Sequence, residues 1–248
     1  MKRSNAHQNL ISYSVWSFSI ICWFILLFNP GNLLTAAHCQ MNLCDGSRVS
    51  LKMLLTINPL PKMMNGWLLM VMAMMLPKLI IPIRIIINQS FKNMGFLLVL
   101  LFVTGYVLMW AVAGFVLNIF IIFVNIQMPG SFTPAVILGI ITCIWQFSPM
   151  KQKCLNKGHY HPVLAAWGLK AYRDAFSFGL THGFWCVGAG WALMLFPMVL
   201  PQGHHFAMLI VTFIMLSEHM EHPQVPRWRI DLRLKLLRII IPENSVRR

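Results

Sequence analysis

Residues 95–123 contain no Asp, Glu, Lys or Arg, and nearly all of them are apolar. At a helical rise of about 1.5 Å per residue, such a run crosses the roughly 30 Å hydrocarbon core of a bilayer with some tilt. Lipid offers no partners to backbone N–H and C=O groups, so the run must be helical. Five further segments have the same character: residues 10–28, 66–87, 132–147, 175–200 and 205–217. The expected fold is therefore all-α, a polytopic membrane helix bundle of about six transmembrane helices. Pro30–Gly31, Pro129–Gly130 and Pro201–Gly203 punctuate the junctions. Lys2 and Arg3 precede the first segment as they would a signal peptide, but its apolar core is longer than such a peptide needs, which favours a retained helix.

Composition supports the same class. Only 10% of residues are charged and 58% are hydrophobic, with a mean hydropathy of +0.67, whereas soluble domains carry about 25% charged residues. The net charge of +14 does not indicate nucleic acid, because the basic residues flank apolar segments instead of covering a soluble domain. Of the 20 Lys and Arg residues, only Arg48, Lys52 and Lys62 fall outside the N-terminus, two alternate connections and the tail. By the positive-inside rule, both termini face the cytoplasm. Residues 1–222 would form the bundle, with an exoplasmic loop at 31–64 and a cytoplasmic loop at 148–174. Residues 223–248 would form a basic, amphipathic cytoplasmic tail held to anionic lipid.

Soft ligands recur along the chain. The stretch HCQMNLC places His38, Cys39, Met41 and Cys44 on the expected outer face. Cys39 and Cys44 can close a disulfide there, or the thiols, thioether and imidazole can hold a soft metal such as Cu(I). His204 and His205 open the last segment on the same side and could complete that site. Met70, Met72, Met74 and Met75 crowd the second segment, with Met63 and Met64 just before it; there Met packs flexibly or forms a ligand ladder. In the fifth, His182 and Cys186 lie four apart, and Gly190 and Met194 continue their face. Gly179 and Gly183 are a pair of small residues that lets another helix come close.

The last segment ends in SEHMEHP. Glu218 at a membrane edge calls for a partner, and His182, Lys78 and Arg84 are the candidates. His219 and His222 are beside it. Cys154, His159 and His161 lie in the connection PMKQKCLNKGHYHP, which lacks zinc-ligand spacing and reads as a solvated basic loop.

The stretches WLLMVMAMMLP from Trp67, GYVLMW from Gly105, QFSPMKQKCL from Gln146, GLTHGFWCVGAGWALM from Gly179, and Glu218 together resemble a bacterial family of predicted metal-binding integral membrane proteins, a domain of unknown function. The resemblance spans residues 67–223. It implies a multi-pass protein of the bacterial inner membrane that carries a cysteine pair at positions 154 and 158 and further cysteines at 189 and 190. This chain keeps Cys154 and Cys186 but has Gly158, Ala189 and Gly190. His182, His159 and His161 are the available substitutes; otherwise the site has moved to HCQMNLC or been lost.

The expected function is binding of a soft transition metal, most plausibly a copper ion, for handling or delivery. His182, Cys186, Met194, Glu218 and His219 are the inner ligand candidates. The outer candidates are His38, Cys39, Met41, Cys44, His204 and His205. The alternative is a non-catalytic accessory or structural subunit among other membrane subunits. A b-type haem on His182 and His219 ranks third and is not expected. No nucleophile–base pair or phosphate loop is present, so no enzyme is expected.

Overall fold

The computed structural model describes residues 2–28, 59–91, 93–128, 131–200 and 203–228. HCQMNLC, including His38, Cys39, Met41 and Cys44, lies outside them, as does the tail beyond Trp228. The described residues are all-α: α1 (Lys2–Phe28), α2 (Leu60–Met75), α3 (Ile80–Gln89), α4 (Gly95–Gln127), α5 (Thr133–Phe147), α6 (Pro149–Gly158), α7 (Gly168–Val199) and α8 (His204–His219). A 3-10 turn, Leu76–Leu79, joins α2 to α3.

Four spans are long and apolar enough to cross a membrane: Ile11–Phe28, Leu60–Gln89, Gly95–Val124 and Gly168–Val199. A fifth exists if α5 and α6, bent by 64° at Ser148–Pro149, count as one. The segment expected as a sixth span forms α8, whose 16 residues reach only about 24 Å by helical rise. Large apolar side chains such as Phe96, Val112, Phe115, Ile119 and Ile140 point outward, as they do where the surrounding solvent is lipid.

The central pair is α4 against α7, set by missing side chains. A Cβ on Gly179 would overlap the Phe102 carbonyl, and one on Gly105 would lie 2.7 Å from Phe176 O. Gly183 faces the Met109 Cβ at 2.9 Å in the same way. With no hydrophobic driving force between helices in lipid, close backbone approach and dispersion hold them together. Trp67 of α2 lies against Gly114, and its Nε1–H donates to Trp110 O at 2.9 Å.

Prolines break the second span and create two docking points. Pro77 has no N–H for the Ala73 carbonyl four residues back; Ser19 Oγ of α1 donates to that carbonyl at 2.6 Å. Pro82 likewise frees the Lys78 carbonyl, and α8 packs against this turn. Freed backbone groups in a membrane helix need such replacements.

The connection expected as a solvated loop at 148–174 contains α6. Ser148 caps it by accepting from the Lys151 N–H at 3.2 Å, and Pro149 suits the first helical position. After the bend α6 folds back on α7, and Cys154 Sγ packs 2.8 Å from where a Gly188 Cβ would stand. Its polar face also holds the segment after α8. Asn156 Nδ2 donates to Gln224 O at 2.6 Å, and Gln224 N donates to Asn156 Oδ1 at 3.1 Å.

Candidate metal centre

The glycine-mediated approach of α4 and α7 builds an aromatic box round His182. The rings of Phe102, Tyr106 and Phe178 lie 5.9, 6.0 and 5.8 Å from the imidazole, centre to centre. His182 is 5% exposed, and its Nδ1 has no hydrogen-bond partner among the described residues. A buried polar atom left open costs about 1–3 kcal/mol, so it marks a place where a ligand would be received. His182 also lines a cavity of about 500 Å³ walled by Lys157, Leu164, Asp174, Phe178 and Trp185. One turn further along α7, Cys186 Sγ stands 3.2 Å from the Tyr106 hydroxyl. His182 thus lines the cavity, and the thiol is one helical turn away on α7.

More histidines gather at this end. His159, just past α6, holds the Leu155 carbonyl through Nδ1 at 2.8 Å and the His219 carbonyl through Nε2 at 3.1 Å. Its ring stacks on that of His219 at 5.5 Å. His161 meets the Phe178 ring edge-on. Burial, and then the neighbouring His159, push the His161 pKa below its ordinary 6.5. His161, Lys78 and His159 all lie within electrostatic range of His182. His159 and His161, named with His182 among the available substitutes, thus lie near it, although their connection reads as a solvated loop.

Glu218 does need a partner, but that partner is Lys151, not His182, Lys78 or Arg84. Lys151 Nζ lies 2.8 Å from Glu218 Oε1, with the two side chains 0% and 3% exposed. Gln146 closes the network. Its Nε2 donates to Glu218 Oε1, and its Oε1 accepts from Lys151 Nζ at 2.5 Å. The bend at Ser148 makes this possible by turning Lys151 back toward Gln146. Lys151 and Lys78 were both counted among the cytoplasm-marking cations, yet both are buried.

Met194 is fully buried in the main core with Met70, Met74, Met75, Met208 and Met215. His204 is buried with Nδ1 on the Pro197 carbonyl at 2.6 Å, and His205 meets it edge-on at 5.5 Å. His222 is exposed. Cys22, Cys143, Cys154 and Cys186 are free thiols. Among the described residues, no three His, Cys, Asp or Glu side chains surround a common metal point.

A family model described as a copper chaperone, PpoB2, matches residues 64–230. The chain belongs to the PpoB2 copper chaperone family. The match runs from within α2 through α8, so the helices that build the His182 box all fall inside it. HCQMNLC falls outside, although it carried four of the eleven expected ligands. Copper chaperones are typically non-catalytic. No curated protein and no solved structure matches the chain.

Proposed function

We propose that this chaperone accepts Cu(I) through the cavity above His182, holds it on His182 and Cys186, and passes it on from within the membrane. The copper is cargo. Imidazole and thiolate suit Cu(I), and the family supplies the metal. The observation that carries the reading is the buried, open Nδ1 of His182 one helical turn from the Cys186 thiol. Glu218 is committed to Lys151, so in this reading it fixes α6 against α8 and takes no copper. His219, stacked on His159, is a reserve ligand in this reading. HCQMNLC, with His204 and His205, would serve as a separate outer station.

The placement of cations further supports a bacterial inner-membrane protein with both termini cytoplasmic and a basic tail at residues 223–248. In that orientation the cavity opens toward the cytosol. The test is copper bound per chain in full-length protein purified in detergent and loaded anaerobically. His182→Ala and Cys186→Ala each weaken Cu(I) binding roughly tenfold or more, whereas His222→Ala leaves it unchanged. Sub-stoichiometric copper in the wild type overturns the reading.

A further inference from the structure

The cavity over His182 measures about 500 Å³, far more than one copper ion needs and within the roughly 300–1,000 Å³ of small-molecule pockets. Its walls mix charge, hydroxyl and aromatic surface. Lys157 and Tyr160 come from the end of α6 and just past it, and Asp174, Ser177, Thr181 and Trp185 from successive turns of α7. Lys157 Nζ stands over the Trp185 ring at 6.0 Å. Asp174 is the one carboxylate among the described lining residues, and its Oδ2 accepts from the Ala165 N–H at 3.3 Å. The charge nearby is otherwise positive. Lys170 and Arg173 are exposed on the first two turns of α7. Lys78, 7% exposed, lies within electrostatic range of His182. Such a field repels a bare cation and draws in an anion.

We infer that copper enters this cavity as an anionic Cu(I) complex of a low-molecular-mass thiol bearing carboxylate groups, and that the Lys157 wall receives the thiol. The inference rests on the copper-handling reading and names the form in which the cargo arrives. Two separate observations support it: room for a carrier, and a surrounding charge opposite to the carrier's own. Thiolate sulfur suits Cu(I). In the proposed orientation the mouth faces the cytosol, where a reduced thiol pool is maintained. Lys157 pairs with a carboxylate of the carrier, and Asp174 faces its ammonium group where the thiol is an amino acid or short peptide. At the cavity floor the open Nδ1 of His182 attacks the metal. One Cu–S bond breaks as the Cu–N bond forms, and the freed thiolate leaves with its electron pair. Copper stays Cu(I), no proton moves, and the negative charge of the complex departs with the thiolate.

The test is the initial rate of copper transfer, without oxygen, to full-length protein in detergent. The donors are the Cu(I) complexes of glutathione, 2-mercaptoethanol and cysteamine. All three present thiolate sulfur, but they run from strongly anionic through weakly anionic to cationic. Transfer from the glutathione complex is roughly tenfold faster than from cysteamine at low salt. The gap closes at about 1 M salt, where charges are screened beyond about 3 Å. Lys157→Glu narrows the low-salt gap roughly threefold or more. Ser177→Trp, at an exposed position on the wall, fills the cavity and slows glutathione more than the smaller 2-mercaptoethanol. Equal rates from the three complexes, an unchanged gap in Lys157→Glu, or equal slowing of both thiols in Ser177→Trp overturns the inference. The His182–Cys186 reading then still stands if the wild type reaches full copper loading and His182→Ala and Cys186→Ala do not. A wild type that takes copper from none of the three overturns both.

Discussion

Lys151 of α6 and Glu218 of α8 form a buried ion pair at 2.8 Å, braced by both ends of the Gln146 amide. Removing one member strands the other charge, which costs about 3–5 kcal/mol. Glu218→Gln or Lys151→Met should therefore lower the melting temperature in detergent sharply. Lys151→Met combined with Glu218→Met should recover more than half of the loss, because no buried charge remains.

The hydroxyl of Ser19 takes the carbonyl that Pro77 leaves open at Ala73. Ser19→Ala should destabilise by about 1–3 kcal/mol, the usual effect of leaving a buried acceptor unpaired. Adding Pro77→Ala restores a helical donor to the same carbonyl. The double variant should melt closer to the wild type than Ser19→Ala alone; equal melting of the two would reject the pairing.

Gly179 has no room for a methyl group, because the Phe102 backbone occupies the place. Gly179→Ala should push α4 from α7, cost at least about 1–3 kcal/mol, and weaken copper binding by opening the aromatic box. Gly158, at the end of α6, has nothing within 4 Å of the place a methyl group would take. Gly158→Ala should be neutral or slightly stabilising by helix propensity. Thermal melts of the two variants make the comparison.

Burial, followed by the nearby His159, lowers the His161 pKa from 6.5. The folded state therefore holds its proton less tightly than the unfolded chain. Stability contributed by neutral His161 is complete above pH 6.5 and declines as pH falls through 6.5 toward the lower folded value. His161→Phe should reduce the loss of melting temperature between pH 7.5 and 5.5. An unchanged pH slope would count against a buried, neutral His161.

The long apolar helices were legible because hydropathy is a property of the segment itself. The face shared by His182 and Cys186 was legible too, since helical spacing alone defines it. α6 was not. Its lysines look like solvated loop residues, and only the bend at Ser148–Pro149 carries Lys151 inward to Glu218. The same bend explains why the partner of Glu218 was sought among the wrong residues. Met215 was invisible for another reason. Its place depends on how α8 is rotated against the Gly190 notch, a distance of 25 positions in sequence. Position 190 reads as a lost cysteine in sequence and as a seat for the Met215 methyl in three dimensions.

The 3-10 turn at Leu76–Leu79 is gripped near one end by Ser19 and lies against α8. The first and last described helices, far apart along the chain, thus meet on a single short splint. A tilt of α1, which lies outside the family-matched region, would therefore press on α8, the helix that carries Glu218.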